Sequence, residues 1–207
     1  MDTRRGTLVI ACGALAREIA ALRRANDWSA LDVRCLPAEL HNRPDRIAPA
    51  VRAEIEKHRG DYAQIFVAYG DCGTGGALDA VLAEHGIERL PGAHCYEFFA
   101  TARVFEQLAD AEPGTFYLTD FLLKNFERFV VRGLGLDRHP ELKQEYFRNY
   151  RRLVYLAQTV KPGTLERARE SAAFLGLEFE HRFTGYGELG TRLRTLVTSE
   201  ASPTWQA

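Results

Sequence analysis

Short apolar runs alternate along this chain with amphipathic stretches of helical period, and that alternation limits its fold more than any other feature. Residues 7–11 form the first run, of the kind buried on both faces of a parallel sheet. Gly13 follows, then a predicted helix over 14–24 with Leu15, Ile19 and Leu22 on one side. Residues 31–36 read as a second strand stopped at Pro37, and 44–58 as a helix started by Pro44-Asp45. A third strand over 64–69 runs into the glycine-rich turn 70–76, then a helix over 77–85 closed by Gly86. A short strand at 87–90, a helix at 95–108 and a strand at 115–118 follow. The second half continues with helices at 121–132, 140–150, 164–175 and 188–196, and strands at 153–157 and 178–182.

Strands separated by helices of this length make βαβ units. The expected class is α/β: a three-layer α/β/α sandwich on a mainly parallel sheet. A single domain over 1–198 is expected, with a frayed tail over 199–207. A break near 133–139 would divide it into two similar lobes. Tyr69-Gly70-Asp71-Cys72-Gly73-Thr74 echoes Tyr186-Gly187-Glu188-Leu189-Gly190-Thr191, as an ancient duplication would.

Composition removes other classes. With 46% apolar residues and nearly balanced charge, the chain can build a core and is not a disordered segment. A net charge of −1 supplies no global field for nucleic acid. No apolar stretch is long enough for a membrane span. The apolar run at 7–11 is too short for the core of a secretory leader, so a cytoplasmic protein is expected.

The cysteines are Cys12, Cys35, Cys72 and Cys95, with no C-x-x-C pair. Cys35, inside a predicted strand, is expected in the core. The other three follow the carboxyl ends of the first, third and fourth strands, where parallel α/β sheets bind ligands. A strand order of 2-1-3-4 would bring them into one crevice, with His41 reaching in from the second loop. A Cys3His shell suits zinc, because thiolates and imidazole match a borderline-soft ion. Three thiolates can also hold an iron–sulfur cluster, and three ligands with an open position make a catalytic metal. Two alternatives stand beside these: cysteines that only pack, and a metal-free thiol activated at a helix N-terminus.

The loop Gly70-Asp71-Cys72-Gly73-Thr74 either cradles an anion or makes a tight β–α turn. Gly70, Gly73, Thr74 and His94 are candidate substrate contacts, and Asp71 and Glu97 candidate proton carriers. His58, His85, His139 and His181 are expected at the surface. Phe116, Tyr117, Phe121, Phe126 and Phe129 are expected in the core, and Arg148, Arg151 and Arg152 on a solvated helix face.

Cys12-Gly13-Ala14-Leu15, Leu40-His41-Asn42-Arg43-Pro44, Tyr69-Gly70-Asp71-Cys72-Gly73, His94-Cys95 and Pro113-Gly114-Thr115-Phe116-Tyr117-Leu118-Thr119 together carry a resemblance. Over 7–196 the chain resembles an uncharacterised domain-of-unknown-function family of bacteria and methanogenic archaea. It departs from that family's pattern at His94, where the pattern has Asp, and at Asp120-Phe121, where it has Gly-Trp. Some members are encoded beside corrinoid-dependent methyltransferases, so the resemblance implies a role in one-carbon metabolism. Three functions follow as expectations. The first is an enzyme of methyl or thiol transfer with a thiolate metal site and a small-molecule substrate. The second is an accessory protein carrying a metal or corrinoid to a partner methyltransferase. The third is a phosphate-binding enzyme with structural cysteines.

Overall fold

A computed structural model describes residues 4–200 of the chain, which has an α/β fold with parallel-only sheets. It divides into two compact units, Met1–Phe98 with Glu188–Ala207, and Phe99–Gly187. Residues 133–139 lie inside the second unit. The tail expected from 199 falls, from 201 onward, outside the described residues. No described helix is long and apolar enough to cross a membrane.

The first unit holds β1 (Arg5–Cys12), β2 (Leu31–Leu36), β3 (Tyr62–Ala68) and β4 (Glu88–Arg89) in the order β2-β1-β3-β4, all parallel. This is the order that the helix-alternating pattern led us to expect. Leu8, Val9, Ile10 and Ala11 of β1 are fully buried, because a central strand flanked on both edges is also covered on both faces. Its helices are α1 (Ala16–Ala25), α2 (Ile47–His58) and α3 (Ala77–His85). Right-handed crossovers put α1, which leads leftward from β1 to β2, on one face. The same rule puts α2 and α3, which lead rightward, together on the other, and these two do pack on each other. A fourth helix, α4 (Cys95–Ala100), follows β4.

The second unit holds α5 (Ala102–Ala111), β5 (Thr115–Thr119), α6 (Asp120–Lys124), α7 (Leu142–Phe147), β6 (Arg152–Ala157), α8 (Thr164–Leu175) and β7 (Glu178–Phe183). Its sheet runs β5-β6-β7, again parallel. Leu118, Leu153, Tyr155 and Ala157 present one face to Ala168, Ala172 and Leu175 of α8. Phe116 and Phe126 pack against that cluster and Phe129 is buried, whereas Tyr117 and Phe121, also expected in the core, are only partly buried. Asp120 ties the carboxyl edge of this sheet together. Its carboxylate accepts from the Tyr155 hydroxyl at 2.7 Å and from Thr159 N at 3.0 Å, and Asp120 N donates to Gln158 Oε1 at 2.8 Å. The last helix, α9 (Gly187–Glu200), belongs from Glu188 onward to the first unit and buries Leu189 and Leu193.

Several expectations are corrected. The predicted helix over 95–108 breaks at Thr101, whose φ is 69°. The predicted helix over 121–132 ends at Lys124 and resumes as a π-helical turn, Glu127–Val131, with the Asn125 side-chain amide donating to Phe121 O. Arg152 lies in β6 rather than on a solvated helix face, donating to Thr115 Oγ1, Glu180 and Leu108 O. His58 is largely enclosed between Glu54 and Asp61 rather than at the surface. The two echoing hexapeptides differ: residues 70–76 are turn and irregular backbone, whereas 187–191 already belong to α9. Cys35 is exposed rather than in the core, on β2 at the edge of the sheet.

Candidate thiol site at the carboxyl edge of the first sheet

β1 ends in Cys12, which is 5% exposed. β3 continues past Ala68 into Tyr69, which is 2% exposed. Ala11 pairs with Ala68, so the next positions along the two strands, Cys12 and Tyr69, lie side by side. The Tyr69 hydroxyl is buried, has no hydrogen-bond partner of standard geometry, and faces the Cys12 thiol.

Two loops are then sewn together. Asp71 N donates to Gly92 O at 3.0 Å and Cys72 N to Ala93 O at 2.7 Å. This extends the β3–β4 pairing and sets Cys72, 6% exposed, against Cys95 at the start of α4. Two glycines permit the approach. A Cβ at Gly70 would stand 3.1–3.2 Å from the His94 backbone, and one at Gly13 only 2.7 Å from Leu36 O. Cys72 itself takes a left-handed conformation, with φ 51°, which costs a non-glycine residue energy and persists because the surrounding bonds impose it.

The three thiols share one environment. Burial pushes Cys12 up, pushes Cys72 up to about 11 and holds Cys95 well above the ordinary thiol range. Cys72 and Cys12 each raise the Cys95 value further. Desolvation opposes helix-terminal activation of a metal-free thiol and favours the neutral form of all three. Cys35, though exposed, lies within electrostatic reach of Cys12 and Tyr69.

His41 and His94 form a second group. Each has its pKa lowered, first by desolvation, and each lies in the other's surroundings at this edge. His94 also packs its ring on Tyr96 at 4.9 Å and feels Glu97 and Asp71. Both imidazoles are neutral at pH 7. Among the described residues, no three His, Cys, Asp or Glu side chains already stand in a metal-holding arrangement. The donor types nevertheless fit a thiophilic ion, and the Tyr69 hydroxyl lies beside Cys12.

The glycine-rich loop binds an anion of its own. Asp71 accepts from Thr74 Oγ1 at 2.6 Å, Gly76 N at 3.0 Å and Gly75 N at 3.2 Å. These bonds hold its carboxyl down at about 2, so it stays ionised at neutral pH. A phosphate would have to displace this carboxylate, which fills the loop. Thr74 Oγ1 in turn lies 3.4 Å from Leu78 N, at the start of α3. Glu97 folds back so that Ala93 N donates to Oε2 at 2.7 Å. Gly73 lies against the Pro44 ring, which brings the His41 loop beside the Cys72 loop.

Two participants were not singled out in the sequence. Tyr69 could have been found as the residue between an apolar strand and its glycine turn. Arg89 carries no such signal. It donates to Asp79 at 2.6 and 2.9 Å, to Leu90 O at 2.7 Å and to Gly92 O at 3.1 Å, and so fixes the loop that pairs with Cys72.

A family model described as a protein of unknown function, DUF1638, matches residues 35–193. No curated protein and no solved structure matches the chain.

Proposed function

The chain belongs to the family of unknown function DUF1638, whose model spans well over half of it, and from that premise we propose a thiolate site for a thiophilic metal ion. Cys12, Cys72 and Cys95 hold the ion, at an edge where a small molecule also binds. One observation carries the reading. The Cys12 and Cys72 thiols are buried at the ends of neighbouring strands, Cys95 at the start of α4 lies within electrostatic reach of both, and the Tyr69 hydroxyl is buried beside Cys12.

Zinc is the ion that such donors ordinarily take, and when bound it supplies Lewis acidity to a substrate thiol. The chain's own residues do the rest. Tyr69 donates toward a cysteine sulfur. His41 and His94, neutral and facing the loops, take or give a proton at the substrate. Glu97 supports the His94 imidazolium. Asp71 holds the loop and carries no proton at neutral pH. Methyl or thiol transfer in one-carbon metabolism is the reaction class this arrangement suits. Delivery of a metal or corrinoid to a partner methyltransferase would use the same edge without turnover.

The test is metal content by mass spectrometry on anaerobically purified protein, with Cys72→Ser and Cys35→Ser alongside. The reading expects one equivalent of zinc, lost in Cys72→Ser and kept in Cys35→Ser. Several irons per chain would instead make it a cluster site, and a corrinoid would show in the visible spectrum. Folded wild type that neither carries nor takes up any of these overturns the proposal.

A further inference from the structure

We infer that the second unit carries a binding groove for a free α-amino acid with an aromatic or aliphatic side chain, separate from the thiol site. The groove lies between the end of α6 with its π-helical turn and one face of α8, and it encloses about 290 Å³. That is the small end of the range for ligand pockets. Arg167, Glu170 and Phe174 are at i, i+3 and i+7 on α8, so they share the face that looks into it. Leu123, Lys124 and Phe126 come from the opposite wall, with Glu127 and Val131 of the π-helical turn. A π-helical turn shifts side chains off the regular helical rows, and such turns recur at functional sites.

The lining is apolar at its floor and carries both signs of charge at its rim. Leu123 and Val131 are buried, and Phe126 meets Phe174 edge to face at 6.0 Å. Phe174 is 41% exposed, yet it is held in place: Lys143 lies over its ring at 5.1 Å and donates to its carbonyl oxygen at 2.8 Å. It is a fixed aromatic wall open to water. The rim sets Lys124 and Arg167 against Glu127 and Glu170, all four exposed. Arg167 donates one long bond, 3.4 Å, to Leu123 O, and among the described residues no carboxylate pairs with it or with Lys124. Glu170 likewise has no ion-pair partner among the described residues, and Glu127 has Arg132 at 3.7 Å between two exposed side chains. Carboxylates at the rim repel a plain anion such as phosphate, and the cations repel an amine. A zwitterion with an apolar tail satisfies both. Its carboxylate takes the Arg167 fork and its ammonium the Glu170 carboxylate, which stand one helical turn apart as two charges on one carbon require. Its side chain covers the Phe126 and Phe174 rings.

Binding of L-phenylalanine and L-leucine to the full chain is measured by saturation-transfer NMR. Phenethylamine, which lacks the carboxylate, and N-acetyl-L-phenylalanine, which lacks the ammonium, are titrated beside them. The expected result is saturable binding of both amino acids with a Kd of roughly 0.1–1 mM, and about tenfold weaker binding of each single-charge compound. Arg167→Gln should weaken phenylalanine about tenfold without weakening phenethylamine, and Glu170→Gln should weaken phenylalanine about tenfold without weakening N-acetyl-phenylalanine. Both substitutions are at exposed positions, and circular dichroism checks that the variants fold. No saturable binding of either amino acid up to about 10 mM overturns the inference. Equal binding of phenylalanine and the single-charge compounds overturns it too, as does binding that neither substitution changes. The thiol-site reading concerns the other unit and is tested separately by metal content.

Discussion

Single residues decide the chemistry here through burial rather than identity. Four cysteines with the same side chain divide into the buried Cys12 and Cys72, the partly buried Cys95 and the exposed Cys35. At pH 8, iodoacetamide should label Cys35 first in the ligand-free protein, with Cys12, Cys72 and Cys95 lagging until the chain unfolds. Peptide mass mapping over time checks this, and fast labelling of Cys72 would contradict the desolvation argument. Cys72 also predicts an alkaline limb. Its folded value lies near 11 against 9.0 for the free thiol, so its contribution to stability is complete below pH 9. That contribution is lost as pH rises toward 11, because the unfolded chain gives up the proton first. Denaturant midpoints between pH 8 and 11 should fall, and less steeply in Cys72→Ala.

At the scale of elements, the loop 70–76 works as a self-filled anion nest joined by hydrogen bonds to the 92–93 segment. Asp71→Ala removes the acceptor for Thr74, Gly75 and Gly76 and should cost about 1 kcal/mol, as loss of a helix cap does. Its acid dependence has the opposite sign to that of Cys72. The depressed carboxyl contributes in full above about pH 4 and loses its contribution as pH falls toward 2. Wild type should therefore show an acid limb in that window that Asp71→Ala lacks. Gly13→Ala tests the junction of β1 with the end of β2. The added Cβ would meet Leu36 O at 2.7 Å, so a loss of about 1–3 kcal/mol is expected. Urea midpoints measure both substitutions, and a neutral Gly13→Ala would mean that the β2 end yields.

For the molecule as a whole, ligand binding and stability are linked. A ligand held only by the folded thiol cluster, at a hundredfold excess over its dissociation constant, adds about 2.7 kcal/mol. For a chain of this size that corresponds to a rise of roughly 5–11 °C in the unfolding temperature. Differential scanning calorimetry with and without zinc checks it, and a flat response would mean that the ligand binds the unfolded thiols equally well. What the sequence determined by itself is the parallel α/β class, the β2-β1-β3-β4 order and the placement of Cys12, Cys72 and Cys95 at strand ends. Apolar runs, helical periods and stop residues are local signals, and the doubly wound class they indicate commonly has that order. Tertiary structure alone decided the rest. Cys35 is exposed on a strand at the sheet edge, and strand order is not a property of its neighbours in the chain. Asp71 turned inward because the loop backbone offers it two amides. Tyr69 came to lie beside Cys12 because β1 and β3 end level. His41 met His94 because the Pro44 ring rests on Gly73. Each of these outcomes depends on which distant segments exclude water from a side chain, and no period in the sequence encodes that.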